Sequence, residues 1–334
     1  MENSYTMKIL LSILIVLIAL FLVFYFWASS PNLAGDQLTE VKEYANFSPP
    51  GADRIFSVIT YNIGYLSGMT NQKPVRPEEG FYKDNMKKVV AGLKQQSPDL
   101  IAFQEIDFYS NRSYYVDQAK EIAHKLAFRY AAKAVNWDKK YVPFPYFPPR
   151  VQYGRMLSGQ AILSRFPILK QERIVLEKVA AHPFWYNAFY LDRLLQIVEM
   201  EIHGRKVILM NVHLEAFDRE TRKLQTEFVH KKFQEFAKNY PVLMIGDFNS
   251  HPSHKENPTP TIQPLLTDPE IGSACPPADY NNPDTFTFPS SRPIEKIDYI
   301  FFNKSKIEAL EYKVLHDFGQ ASDHLPVWMK CILK

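Results

Sequence analysis

Apolar and polar positions divide the chain into one long apolar run near the N-terminus and, beyond it, many short strand-like runs. Runs at 54–61, 99–103, 129–135, 159–164, 173–176, 194–202, 207–214, 241–245, 297–302 and 326–333 read as strands, rich in β-branched and aromatic residues. Three stretches instead carry helical spacing. Met86, Val89, Val90 and Leu93 mark a helix over 81–96, which Ser97-Pro98 stops. Tyr115, Ala119, Ile122, Ala123 and Leu126 mark a second. Asp218 caps a third running to about Lys238, with Leu224, Phe228 and Phe236 expected inward. Residues 137–150, crowded with prolines and aromatic rings, read as neither helix nor central strand but as a loop, either packed by its own rings or contacting substrate or lipid. Residues 250–293 read as a long polar loop region. Strands outnumber helices and several run consecutively, which predicts a sandwich of mixed sheets covered by helices.

The N-terminal run, residues 9–27, has Ser12 as its one strongly polar position. As a helix it would be about 28 Å long, close to the hydrocarbon thickness of a bilayer, and longer than a signal-peptide core. An uncleaved single-pass anchor is the expectation; Ala28-Ser29-Ser30 keeps cleavage and secretion open. Lys8 and the free amino group before the run, against Asp36, Glu40, Lys42 and Glu43 after it, place the large domain outside the cytoplasm. The chain therefore divides into an anchor or signal at 1–30, a linker at 31–54, and a domain at 55–334.

Charge changes this picture little. With 39 basic and 36 acidic residues the net charge is +3, so strong non-specific nucleic-acid binding is not indicated. Cys275 and Cys331 are the two cysteines and offer no zinc or redox spacing, leaving either one bridge or two free thiols. Nothing calls for an obligate protein partner.

The chemistry collects where strands end. Asn62, Glu105, His213, Asp247, Asn249, Asp298, Asp323 and His324 each close or follow an apolar run, or lie within one. Glu105, Asp247 and Asp323, with the amide oxygen of Asn62, suit Mg²⁺ or Mn²⁺, which take oxygen ligands. The two histidines would suit zinc, phosphate binding or proton transfer. Any one strand-terminal Asp or Asn is most often a turn former. Asp298 is harder to dismiss, because an unpaired carboxylate inside an apolar strand is costly; pairing with His324 would relieve it. Together the groups supply what phosphodiester hydrolysis needs: a cation, a water-activating group, and donors for the charged transition state.

Thr60-Tyr61-Asn62, Gln104-Glu105, the stretch 161–168, Asn211-Val212-His213-Leu214, Gly246-Asp247-Phe248-Asn249, Ile297-Asp298-Tyr299 and Ser322-Asp323-His324-Leu325-Pro326-Val327 resemble, in order, the motifs of the endonuclease/exonuclease/phosphatase superfamily. That superfamily includes deoxyribonucleases, abasic-site endonucleases, inositol polyphosphate phosphatases and neutral sphingomyelinases. The resemblance implies an α+β, four-layer αββα sandwich, here preceded by a single N-terminal transmembrane helix. It implies Mg²⁺ held by Glu105 with Asn62 and Asp323. It gives Asp247 the attacking water, Asn249 a phosphate contact, His324 (oriented by Asp298) the phosphate or the base role, and His213 the phosphate or leaving group. Abasic-site endonucleases carry a carboxylate where Gly64 stands, so DNA repair is disfavoured, and His213-Leu214-Glu215-Ala216 looks closer to the sphingomyelinase-like branch. The expected activity is a membrane-anchored, metal-dependent phosphodiesterase acting on a phosphoester substrate such as a phospholipid headgroup. The alternatives are an extracytoplasmic nuclease and an inactive, membrane-tethered binding module.

Overall fold

Strands covered on both faces must be apolar on both faces, and the central strand-like runs are buried at nearly every position. The computed structural model describes residues 2–45, 47–48, 50, 54–71, 73–252 and 259–334. In chain order its strands begin with β1 (Thr39–Glu43), β2 (Ile55–Asn62), β3 (Leu100–Asp107), β4 (Tyr130–Val142), β5 (Gly154–Ser164) and β6 (Ile168–Val175). They continue with β7 (Leu194–Ile202), β8 (Arg205–His213), β9 (Val242–Asp247), β10 (Ile271–Ser273), β11 (Asp298–Asn303), β12 (Ile307–Val314) and β13 (Val327–Leu333). The helices are α1 (Glu2–Ser29), α2 (Glu79–Gln96), α3 (Gln118–Lys125), α4 (Phe184–Asn187), α5 (Arg219–Ala237) and α6 (Gln263–Thr267).

One sheet has the order β1-β4-β5-β3-β2-β13-β12 and the other β10-β11-β9-β8-β7-β6. Each is mixed, with one parallel pair, β2 with β3 and β8 with β9. Strand periodicity sorts most buried side chains of the described residues into three main cores. Val58 of β2 and Leu209 of β8 lie in the core between the sheets. Ile59 and Tyr61 pack with Val89 and Leu93 of α2 and Ile122 of α3. Met210 and Val212 pack with Val229 and Phe233 of α5. The layers are therefore helix, sheet, sheet, helix: the α+β αββα sandwich. Each fully buried Phe or Leu in these cores contributes about 1.5–3 kcal/mol.

The inner layer is not wholly apolar. Gln104 Nε2 donates to Asn211 Oδ1 at 2.7 Å, and Asn211 Nδ2 donates to Phe103 O and to Gln196 Oε1. Gln160 Nε2 reaches Asn211 O, and Gln196 Nε2 reaches Ala132 O and Gln171 Oε1. These amides join the sheets directly beneath the strand ends that carry the candidate residues.

The structure departs from the sequence expectations in four places. β4 runs through Trp137 to Val142, so the first six residues of the aromatic, proline-rich stretch are strand, paired with β5 across bulges. The expected linker contributes an edge strand, since Thr39–Glu43 pairs antiparallel with β4; residues 46, 49 and 51–53 of that linker lie outside the described residues. α5 turns Val229 and Phe233 inward, with Phe236 partly buried against the same core, while Leu224 and Phe228 are exposed. Its buried face admits Gln225, which donates to Glu177 O and accepts from the Glu215 N–H. Short elements, including α6 and β10, interrupt the 250–293 loop, of which 253–258 lie outside the described residues. Both cysteines are free and buried.

α1 contains an 18-residue window of mean hydropathy 3.2, none of it buried in the protein, and is long and apolar enough to cross a bilayer. Its end is fixed to the domain. The Asp138 carboxylate accepts from the backbone N–H groups of Asn32 and Leu33, both at 2.8 Å, and Lys140 N–H donates to Ser30 O.

Candidate active site

Register brings the site together. In the second sheet His213 lies opposite Asp247 across the β8–β9 pair, and Asp247 lies opposite Asp298 across β9–β11. Three neighbouring strands thus place one functional side chain each in a single row. In the first sheet Asn62 ends β2 opposite Gln104 of β3. The Ser322-Asp323-His324 turn leads into β13, the antiparallel neighbour of β2. Glu105 sits at an irregularity in the β3–β5 ladder, with φ +50. A bulge of this kind re-aims a side chain, here at a backbone cost of about 1–2 kcal/mol.

Asp247 is the hub. Its Oδ2 accepts from Asn62 Nδ2 at 2.9 Å and lies 3.6 Å from His213 Nε2 and 3.8 Å from His324 Nε2. Its Oδ1 accepts from the Asn249 N–H at 2.9 Å. Asn249, at φ +49, donates its side-chain amide to Leu214 O. Burial pushes the Asp247 carboxyl up to about 7, against the pull of His324 and with a further push from Asp298.

His324 Nδ1 lies 3.0 Å from Asp298 Oδ2, which also accepts from Thr287 Oγ1 at 2.6 Å. Burial alone would lower the imidazole; the Asp298 and Asp247 carboxylates outweigh it and hold the ring at about 10. Asp247, Asp298 and His324 offer ligand atoms within 4.8 Å of one another, a spacing open to a cation. The imidazolium already balances that charge, however, so this trio fits a proton-holding pair better than a metal site.

Glu105 and Asp323 form the other side. Asn71 Nδ2 donates to Glu105 Oε2 at 3.0 Å and lies 3.3 Å from Asp323 Oδ2. Burial raises the Glu105 carboxyl, Asp323 raises it further, and Asn71 opposes. Two carboxylates share one amide donor, so this oxygen-rich pair fits a hard divalent cation on the chemistry of its donors. As placed, Asn62 gives its amide N–H to Asp247 and its Oδ1 accepts from the Gly64 N–H at 3.1 Å. One lone pair of that oxygen remains for a cation. Gly64 is held at φ +51, and a Cβ there would stand 2.6 Å from Asp323 Oδ1. The glycine is required by this approach, which leaves no room for a carboxylate side chain at that position.

All eight sequence-selected residues meet here. Two further residues do so without any motif to announce them. Asn71 comes from a polar loop. Arg193, just before β7, places Nη1 2.5 Å from His213 Nε2 and pairs with Glu215 at 3.3 Å. Burial, then Arg193 and His324, keep His213 well below its usual pKa, so the ring is neutral and accepts from the guanidinium. The only available signal for Arg193 was its place beside Leu194, the residue opposite His213 in the β7–β8 ladder.

A two-sheet sandwich with carboxylates, amides and imidazoles converging at one rim defines a hydrolase fold acting on phosphoester bonds. The chain belongs to the Endonuclease/Exonuclease/phosphatase family, whose model matches residues 59–324. Solved structures agree on the fold. An endonuclease/exonuclease/phosphatase from Beutenbergia cavernae DSM 12333 is 19% identical with a TM-score of 0.63, covering 84% of this chain and 72% of that one. The human Nocturnin catalytic domain with bound sulfate is 15% identical with a TM-score of 0.58, covering 91% and 100%. A mannosyl-6-phosphatase of Bacteroides thetaiotaomicron VPI-5482 is 17% identical with a TM-score of 0.57, covering 83% and 99%. No curated protein matches the chain in sequence.

Proposed function

We propose that the protein is a membrane-anchored, Mg²⁺-dependent phosphodiesterase, with Mn²⁺ as an alternative metal, that cleaves a phospholipid headgroup ester. One observation carries the chemistry: Asp247 Oδ2 stands between Asn62, His213 and His324, and His213 Nε2 lies between it and Glu105, 3.7 Å from Glu105 Oε1. Residues 9–27 hold the chain in the bilayer and the 55–334 domain, joined by the 39–43 strand, lies outside the cytoplasm. Lys8 before the run supports that orientation.

Glu105 and Asp323, with Asn62 beside them, would hold the cation, which when bound offsets charge on the non-bridging phosphate oxygens. Asp247 is presented in one orientation by the Asn62 amide and the Asn249 N–H, and takes the proton of the attacking water. Asp298 holds Nδ1 of His324 and leaves Nε2 free to donate to a phosphate oxygen. His213 acts with Arg193, whose guanidinium adds positive charge beside the phosphate. The water oxygen bonds to phosphorus, the ester P–O bond breaks, and the departing oxygen takes up the proton that Asp247 accepted from the water.

Purified full-length protein in mixed micelles, assayed on sphingomyelin, inositol phosphates, DNA and RNA with and without EDTA, tests this reading. Lipid turnover abolished by EDTA and restored by Mg²⁺ is expected. Absent or metal-independent turnover on every substrate overturns it. A nuclease reading has one observation in its favour: Lys73, Arg76 and Arg112 line a small cleft that shares Asn71 with the site. DNA binding that falls steeply with salt would favour it.

A further inference from the structure

We propose that two aromatic segments beside the site, residues 143–149 and 183–189, join the last turns of α1 in a single face that enters the bilayer's headgroup–acyl boundary. The site then opens toward the lipid surface. The docking is read from the surface itself; that lipid is also the substrate rests on the function proposed above.

The rings are exposed and clustered. Phe147 is 81% exposed, Phe184 79%, Tyr146 67% and Trp185 53%. A water-facing surface rarely gathers so many large rings, whereas aromatic rings are favoured where a bilayer meets water. The two segments are linked through Trp137, whose strand leads into the first and whose Nε1 donates to Phe189 O of the second.

The strand that leads into the first segment, and the second segment itself, are also tied to α1. Phe24 and Trp27 pack on Tyr141, with ring centroids 5.9 and 6.3 Å apart, and Tyr25 packs on Phe189 at 5.5 Å. This contact identifies the occupant. A helix able to span a bilayer, exposed along its length, ends on the same face as the rings, so lipid that surrounds α1 also meets them.

The rings have rigid backing that leads to the site. Tyr153 N–H donates to Phe144 O at 2.7 Å, and the Tyr153 ring lies 5.1 Å from the Arg112 guanidinium. Arg112 is stacked 3.2 Å over Tyr65, which follows Asn62-Ile63-Gly64. On the other side Trp137 Nε1 donates to Phe189 O at 2.7 Å, and the chain continues four residues to Arg193, beside His213. Each aromatic segment is thus the outer end of a wall whose inner end lines the site.

Spin labels on the full chain test this. Phe147→Cys, Phe184→Cys and, as control, Leu310→Cys on the opposite edge strand β12 are labelled separately, since Cys275 and Cys331 are buried. Each is reconstituted into phosphatidylcholine–phosphatidylserine vesicles. Collisions with oxygen should exceed those with a nickel chelate at 147 and 184, and the order should reverse at 310. Nickel-dominated collisions at all three positions overturn the proposal. So does shielding from both reagents with dipolar broadening, which would mean that a second copy covers the rings. The double variant Phe147→Ser with Phe184→Ser should lower turnover of vesicle phosphodiester by about a hundredfold, the scale of losing two buried phenyl groups. Turnover of soluble bis(4-nitrophenyl) phosphate should not change. If the wild type cleaves no phosphoester, the catalytic reading fails while the collision data still judge the docking.

Discussion

The two sides of the site solve the same problem differently. The buried acids of the second sheet come with positive charge beside them: Asp298 and Asp247 flank the His324 ring, delivered by the turn before β13, and Arg193 stands behind His213. On the first sheet, Glu105 and Asp323 share a neutral amide from Asn71, and no Lys or Arg pairs with either among the described residues. Both are part-buried, and two like charges held close together without a cation between them are costly. On the function proposed, the first side is the one that would take an external cation, and the second the one that would move protons.

The largest test of that contrast is His324→Ala. It should lower turnover by about 10²–10⁴-fold, and a change below about threefold would remove His324 from the chemistry. Asp298→Asn should cost less, because it loosens the ring without deleting it.

The second sheet's habit of burying its own cations is tested by Lys296, fully buried, with Nζ donating to the Tyr312 hydroxyl at 2.9 Å. Burial depresses its pKa to about 8, against the opposing pull of Cys275 and Asp298. The unfolded chain holds that proton to about pH 10.4, so between about pH 8 and 10 it binds more protons than the folded protein. Stability should rise across that window, by up to about 3 kcal/mol relative to Lys296→Met, in urea denaturation at successive pH values.

On the first side, Mg²⁺ at about a hundred times its dissociation constant should stabilise the wild type by about 2.7 kcal/mol. Glu105→Ala should lose that shift in scanning calorimetry. Asn71→Ala should enlarge it, because its metal-free form leaves the two carboxylates unbridged. The smallest expected effect is that of Gly64→Ala, about 1–2 kcal/mol from the left-handed backbone, with Asp323 displaced.

Much of this arrangement is legible along the chain because apolar runs end at polar residues, and strand ends on one rim of a sandwich meet. Asp247 after its apolar run and His213 at the end of another are of that kind. The His324–Asp298 contact follows from the cost of a lone carboxylate in a buried strand. Asn71 and Arg193 are illegible because their positions depend on where loops fold in space, not on spacing. β1 and β12 escape notice for a different reason: edge strands carry charge to discourage further pairing, as Glu308, Glu311 and Lys313 do on β12, and so read as loop. The inward face of α5 misleads because Gln225 is buried for its hydrogen bonds while Leu224 is left outside.

The buried amides linking Gln104, Asn211 and Gln196 have a mechanical consequence. Packed apolar faces alone resist sliding weakly, since one methyl group can replace another. Directional bonds between the layers act as a shear pin: a displacement of one residue would break several of them and invert the faces of every strand involved. The pin lies just beneath the rim, where slippage would do most harm. It locks the spacing between Glu105 of one layer and His213 and Asp247 of the other, so the gap between them is set by the frame before any ligand arrives.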